Sequence, residues 1–280
     1  MFLRKRFHKL KRNVIAFTTH KSGSMVLHRV LNDICRLNGI RYYSPNNEGE
    51  NLPFDRIFRG TDFISAKHGC FGPIRFFVPT KALNDSSIIV HLRDPRDVLT
   101  SMFFSYCFMH FGEIEANTGY RREVAEAGID KFVLDMVSDK YDSYKGDYGT
   151  GARYKKYIGN IYDRYVCYLA TVVDQPNTTL VSYEEMVLNF NSWLRKILAA
   201  FEIDNAEEVH EAISWRHVAT VKTSEENIRS HKRKVTPGDY KNKLKPETIL
   251  ELNRKFEYVL DKLGYNSAQY ETTQIPEIGR

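Results

Sequence analysis

An α/β architecture, with a central parallel sheet flanked by helices, follows from three stretches of the sequence. In Asn13–Leu37 (NVIAFTTHKSGSMVLHRVLNDICRL), an apolar, β-branched run gives way to a short polar loop and then to an amphipathic helical pattern. In the second, the apolar strand pattern Ser86–Leu92 (SSIIVHL) runs through Arg93-Asp94-Pro95-Arg96-Asp97 into a helical stretch, Val98–Phe111. The third places a short strand, Thr178–Ser182, before Tyr183-Glu184-Glu185-Met186 and an amphipathic helix marked by Trp193, Leu194, Ile197, Leu198 and Phe201. Strands that alternate with helices in this way predict crossover units and hence parallel pairing.

The first unit carries chemistry. Val14, Ile15, Ala16 and Phe17 form the strand, and Met25, Leu27, Val30, Leu31, Ile34 and Leu37 mark the buried side of the helix, which Asn38-Gly39 closes with C-cap chemistry. Between them, Thr18–Ser24 has the composition of an oxyanion cradle. Backbone N–H groups at a helix start, with the positive end of its dipole, face a phosphate or sulfate. Gly23 lets the backbone approach closely, Ser22 and Ser24 offer hydroxyls, and Lys21 adds a mobile point charge. The triphosphate pattern G-x-x-x-x-G-K-[ST] is absent, because the only glycine follows the lysine. An ordinary βα turn with a surface lysine has the same composition, and this loop alone leaves the two readings level.

The remaining elements follow in order. Ile40–Tyr43 reads as a short strand and Ser44–Gly60, with two prolines, as a long polar loop. Asp62–Lys67 (DFISAK) is strand-like and would deliver Lys67-His68 to its carboxyl end, where open parallel sheets bind ligands. His68 is thereby a general-base candidate, weighed against a structural role because the chain has nine histidines. Arg93 stands at a strand end, placed to fork onto a phosphate, with Ser101 about two helical turns further on; weak surface ion pairs with Asp94 and Asp97 are the plainer alternative. Gly112–Gly151 mixes helical pieces with turns. In Arg153–Val173 the residues Tyr154, Tyr157, Ile158, Ile161, Tyr165 and Tyr168 recur at helical spacing and read as core packing. A shorter helix near Ala206–Trp215 follows. His217–Leu244 is basic and poor in apolar residues, and reads as a flexible loop able to close over a ligand with Arg233 and Lys234. Pro246–Gly264 is a final amphipathic helix.

Charge and cysteine usage exclude several classes. Residues 1–12 hold six of the 41 Lys and Arg and no acid, which leaves 35 basic against 35 acidic residues in the body. A body-wide nucleic-acid surface is therefore not expected. Leu3, Phe7 and Leu10 share a helical face in the tail, which suggests at most a weak peripheral membrane contact; a solvated start is the preferred reading. No segment has the length of a membrane span, and Cys35, Cys70, Cys107 and Cys167 lack C-x-x-C spacing and read as reduced thiols of a cytoplasmic protein. Residues 1–12, 13–265 and 266–280 divide as a basic tail, one domain and a C-terminal tail.

Four separated segments, taken together, resemble the sulfotransferase superfamily that uses 3′-phosphoadenosine 5′-phosphosulfate (PAPS). Thr18–Val26 (TTHKSGSMV) is similar to its T-Y-P-K-S-G-T-T-W phosphosulfate loop. Arg93–Ser101 (RDPRDVLTS) resembles R-N-P-x-D-V-x-x-S, Arg233–Asn242 (RKVTPGDYKN) resembles R-K-G-x-x-G-D-W-K-N, and Tyr183–Met186 (YEEM) resembles Y-E-D-M. The resemblance implies a P-loop-kinase-like sulfotransferase fold and sulfuryl transfer from PAPS to a hydroxyl or amine acceptor by in-line displacement, leaving adenosine 3′,5′-bisphosphate (PAP), with no metal expected. It implies Lys21, Ser22, Gly23, Ser24 and Met25 on the 5′-phosphosulfate, with Lys21 also catalytic; Arg93, Ser101, Arg233 and Lys234 on the 3′-phosphate; and Tyr183 near adenine. It also supplies His68 as the base, leaves Lys67 open, and keeps Glu48 and Asp62 as runners-up. Three departures stand out: His20 replaces the usual proline, Val26 replaces the tryptophan that many members stack on adenine (Trp215 being a substitute), and Val235 replaces the glycine after Arg-Lys. The alternatives are a small-molecule kinase of P-loop type or a non-catalytic binding protein of the same fold. Acceptor choice would lie in Ser44–Gly60, Cys70–Thr80 and Gly112–Gly151.

Overall fold

β1 (Asn13–Thr18) is the centre of the molecule, buried at every position but its first. The computed structural model describes residues 10–44, 50–51, 62–108, 118–138, 159–221 and 235–266. Around β1 lie β2 (Tyr42–Ser44), β3 (Glu50–Asn51), β4 (Cys70–Ile74), β5 (Ser86–Leu92) and β6 (Thr178–Ser182), in the spatial order β3-β2-β4-β1-β5-β6, every pair parallel. β1 faces β5 in unbroken register from Asn13↔Ser86 to Thr18↔His91. Strands buried on both faces read as continuous apolar runs, which is why β1 and β5 stand out in the sequence.

Alternation along the strands builds two cores. Ile15, Phe17, Phe71, Ile88, Val90 and Leu92 point to one face, where α5 (Ile161–Tyr168) and Phe256 cover them. Val14, Ala16, Cys70 and Ile89 point to the other and pack under α1 (Ser24–Asn38) and α7 (Phe190–Ala199), with Trp193 at its centre. Gly39 ends α1 in a left-handed C-cap whose N–H donates to the Cys35 carbonyl. Among the described residues the other α-helices are α2 (Pro95–Phe108), α3 (Thr118–Ala127), α4 (Ile129–Asp135), α6 (Tyr183–Leu188), α8 (Ala206–His217), α9 (Tyr240–Lys243), α10 (Pro246–Lys255) and α11 (Glu257–Lys262).

Three expectations are corrected. Residues 63–66 form turns, and the strand lies after His68, at β4. Asp62 causes this: its carboxylate accepts the backbone N–H groups of Ser65 (3.2 Å) and Lys81 (2.9 Å) and the Ser65 hydroxyl (2.8 Å), which folds the chain locally. The final helix is two, broken at Phe256, a residue that turns wholly into the core. Leu10, a member of the supposed membrane-facing stripe, is buried in the same core as Val14 and Leu27, and Arg12 pairs with Glu202 at 2.6 Å. Leu3 and Phe7 lie outside the described residues. Among the described residues no helix is long and apolar enough to cross a membrane.

Candidate active site

The chain leaves β1 at Thr18 and enters α1 through two left-handed residues, Lys21 (φ 62°) and Gly23 (φ 76°). A lysine in this region is uncommon, and such conformations concentrate where a ligand is held. The Gly23 carbonyl accepts the first intrahelical bonds, from Val26 N–H (2.9 Å) and Leu27 N–H (3.2 Å). The amides before Val26 therefore sit at the positive end of the α1 dipole. The N-cap, Gly23, has no side chain to cap the helix, and no acidic residue lies in the first turn. By contrast α5, α6 and α7 are capped by Asn160, Ser182 and Asn189. A helix start with a glycine N-cap and no acid in its first turn suits an external anion. The loop is braced from within by Thr19 Oγ1 and Ser22 Oγ, 2.6 Å apart and both buried.

Cations from the carboxyl ends of neighbouring strands and from α5 surround this loop. Arg93, after β5, donates from Nη1 to the Lys21 carbonyl (3.0 Å), lies 4.1 Å over the Tyr183 ring, and approaches Asp97 at 3.4 Å. Arg75, one residue beyond β4, reaches Ser24 Oγ at 3.4 Å. Arg164, buried on α5, donates from Nη1 to His20 Nδ1 (2.8 Å) and to the Arg75 carbonyl (3.3 Å). Burial, and then the charges of Arg164, Arg75 and Lys21, hold the His20 imidazole well below its ordinary pKa of 6.5. Burial is the larger cause, and the three cations add to it.

A second layer fixes these groups. The Tyr165 hydroxyl donates to the Arg93 carbonyl (2.5 Å), and the Tyr168 hydroxyl to that of Thr18 (2.7 Å). Asp97 accepts the N–H groups of Gly238 (2.7 Å) and Tyr240 (3.0 Å), which seats the segment beginning at buried Val235 beside Arg93. Glu184 accepts Asp94 N–H (3.1 Å) and the Tyr265 hydroxyl (2.9 Å); burial pushes its pKa up to about 7, with the Arg93 charge opposing.

The structure thus brings Lys21, Ser22, Gly23, Ser24, Met25, Arg93 and Tyr183 together. Ser101 follows Asp97 by one turn on α2 and is half-buried. His68 is not with them. Val14 pairs with Cys70, and Gly69 N–H donates to Asn13 Oδ1 at 2.9 Å, so His68 lies before the start of β1 while the loop follows its end. At ~3.3 Å per residue, β1 alone separates the two by roughly 16 Å. Lys67 shares that edge, its Nζ 5.8 Å from the Phe63 ring. Asp62 is absorbed by its turn, and its hydrogen bonds outweigh burial to hold its carboxyl below the usual range. Trp215 is 70% exposed on α8, with the Arg216 guanidinium over its ring. Arg233, Lys234 and Glu48 lie outside the described residues.

Sequence reasoning missed Arg75 and Arg164. Arg75 gave no signal, because the strand it follows, β4, contains Gly72 and Pro73 and does not read as a strand. For Arg164 the signal was an arginine one turn before Tyr168, close to the apolar stripe of α5.

Residues 73–264 match the family model for the Sulfotransferase domain. The chain belongs to this family. A crystal structure of mouse sulfotransferase SULT7A1 complexed with PAP aligns with a TM-score of 0.60 at 18% identity, covering 96% of this chain and 91% of that one. Retinol dehydratase in complex with androsterone and the inactive cofactor PAP aligns with a TM-score of 0.51 at 12% identity, covering 91% and 82%. No curated protein sequence matches the chain. Within the sulfotransferase fold, the loop and its ring of arginines occupy the carboxyl edge of the sheet, the ligand-binding edge of open α/β sheets.

Proposed function

We propose that this sulfotransferase-domain protein moves the sulfuryl group of PAPS to a hydroxyl or amine of a small-molecule, carbohydrate or lipid acceptor, and releases PAP. The observation that carries the reading is the start of α1: begun by a glycine N-cap, free of acid in its first turn, entered through left-handed Lys21 and Gly23, and faced by Arg75, Arg93 and Arg164. That donor set fits a 5′-phosphosulfate, whose oxygens need several N–H donors and a compensating charge and no metal ligand. The amides from Ser22 to Met25 and the Lys21 ammonium would hold it. Arg93, on its Tyr183 platform, together with Ser101 would take the 3′-phosphate, with Arg233 and Lys234 as further proposed contacts. Two solved structures with the same fold carry PAP.

The acceptor oxygen or nitrogen attacks sulfur in line, the bond from sulfur to the 5′-phosphate oxygen breaks, and the acceptor proton departs. Negative charge grows on the leaving oxygen in that step. Lys21 and the preorganised amides oppose it without reorganising, which is the largest kind of stabilisation a site of this type supplies.

Isothermal titration with PAP, against ATP and magnesium as the comparison, tests the reading. Micromolar PAP binding with much weaker ATP binding is expected. Tighter ATP binding would overturn the reading in favour of a phosphoryl-transfer enzyme, and no binding of either would leave a fold without its donor site.

A further inference from the structure

We propose that His20 is a fixed hydrogen-bond donor, through Nε2–H, to the sulfuryl end of bound PAPS, with Arg164 as the positioning residue that sets its tautomer. The inference rests on the donor-site reading above and deepens it.

A guanidinium carries only N–H donors. Arg164 Nη1 lies 2.8 Å from His20 Nδ1, so Nδ1 accepts, and the single proton of the neutral ring is on Nε2. Arg164 is itself buried and its Nη1 also donates to the Arg75 carbonyl at 3.3 Å, which ties the guanidinium to the main chain at the end of β4. A second proton on the imidazole would face the Arg164 N–H directly and add positive charge beside Lys21, Arg75 and Arg164, the cations that already act on the ring. His20 therefore stays neutral through the physiological range. It does not serve as a general base, because Nε2 is already protonated and Nδ1 is engaged. What remains is a neutral donor held by one residue adjacent to Lys21.

Its place in the fold indicates its partner. Arg93 and Tyr183 follow β5 and β6 on one side of β1, whereas Arg75 follows β4 on the other. With the nucleoside end taken by Arg93 and Tyr183, the transferred group lies towards Arg75, where the His20–Arg164 pair stands. A neutral donor there adds a hydrogen bond to the sulfuryl oxygens without placing a further charge beside Lys21, Arg75 and Arg164.

The test uses the full chain labelled with nitrogen-15 in histidine, together with calorimetry for PAPS and PAP separately. In the ligand-free wild type, His20 is expected as the Nε2–H tautomer, neutral at pH 7 and titrating well below the ordinary imidazole pKa of 6.5. His20→Ala is expected to weaken PAPS roughly tenfold or more, the scale of a hydrogen bond to a charged group, while PAP affinity stays within about twofold, since PAP lacks the sulfuryl group. His20→Gln, whose carbonyl can accept from Arg164 while its amide donates, is expected to restore most of the PAPS affinity. An Nδ1–H tautomer, an imidazolium at pH 7, or equal losses for PAPS and PAP in His20→Ala would each overturn the proposal. Failure of the wild type to bind PAP would instead overturn the nucleotide reading, and the tautomer of the ligand-free chain would still decide the role of Arg164.

Discussion

A Cβ added at Gly23 would stand 2.7 Å from Met186 Cε and 3.1 Å from Tyr183 Cδ2, on a backbone at φ 76°. The methionine tip can move aside; the left-handed backbone cannot, and it costs an L-residue ~1–2 kcal/mol. Gly23→Ala is accordingly expected to lower Tm by a few degrees and, because the same residue begins the amide cradle, to weaken PAP at least tenfold by calorimetry. Unchanged PAP affinity in the folded variant would take Gly23 out of the cradle. Arg93 is constrained differently. Its guanidinium holds the Lys21 carbonyl, lies on Tyr183 and faces Asp97, so it both shapes the loop and presents charge. Arg93→Ala is expected to weaken PAP by ten- to a hundredfold, as for a hydrogen bond to a charged group; titration curves that superimpose on the wild type would remove it from the 3′-phosphate site.

At the scale of elements, α5 works as a clamp across strand ends. Its Tyr168 hydroxyl donates to the Thr18 carbonyl at 2.7 Å, the last residue of β1 before the loop, and reaches the Ile74 carbonyl of β4 at 3.4 Å. Tyr168→Phe leaves those buried carbonyls short of a donor, a loss of ~1–3 kcal/mol. Urea unfolding should show that loss, and PAP titration a parallel drop, since the loop springs from Thr18; a stability loss with PAP affinity unchanged would separate the clamp from the site. This role was not legible in the sequence, where Tyr165 and Tyr168 read as packing, because which strand ends a helix covers is a tertiary fact. β1 and β5 were legible because strands buried on both faces leave unbroken apolar runs. β4 was not: it contains Gly72 and Pro73, both of which argue against a strand from sequence, while the alternation in DFISAK imitates one. The error displaced the strand by several residues. It put His68 at the ligand edge and hid Arg75, which holds the position His68 was expected to fill.

At the scale of the whole molecule, the sheet separates two buried layers, and two buried titratable groups, His91 and Glu184, couple stability to pH. His91 on β5 lies against Trp193 (ring centroids 5.6 Å), and burial pushes its pKa from 6.5 down to about 3, against a smaller pull from the Ser182 backbone. The neutral form belongs to the fold, so the unfolded chain binds the extra proton between about pH 3 and 6.5, and stability falls as pH drops through that window. Glu184 acts in the opposite sense: burial raises its pKa from 4.5 to about 7, so its contribution is complete below the lower value and is lost as pH climbs through the upper one. Between about pH 4.5 and 6.5 the two slopes, one proton each and ~1.4 kcal/mol per pH unit, run against each other. His91→Leu removes one of them and keeps an apolar side chain beside Trp193. Relative to the wild type, the variant should gain about 2 kcal/mol on going from pH 6.5 to pH 5, read from urea midpoints at the two pH values. Parallel pH dependences in the two proteins would show that His91 is not held neutral by burial, and would place the acid sensitivity of the fold elsewhere, with His20 as the next group to test.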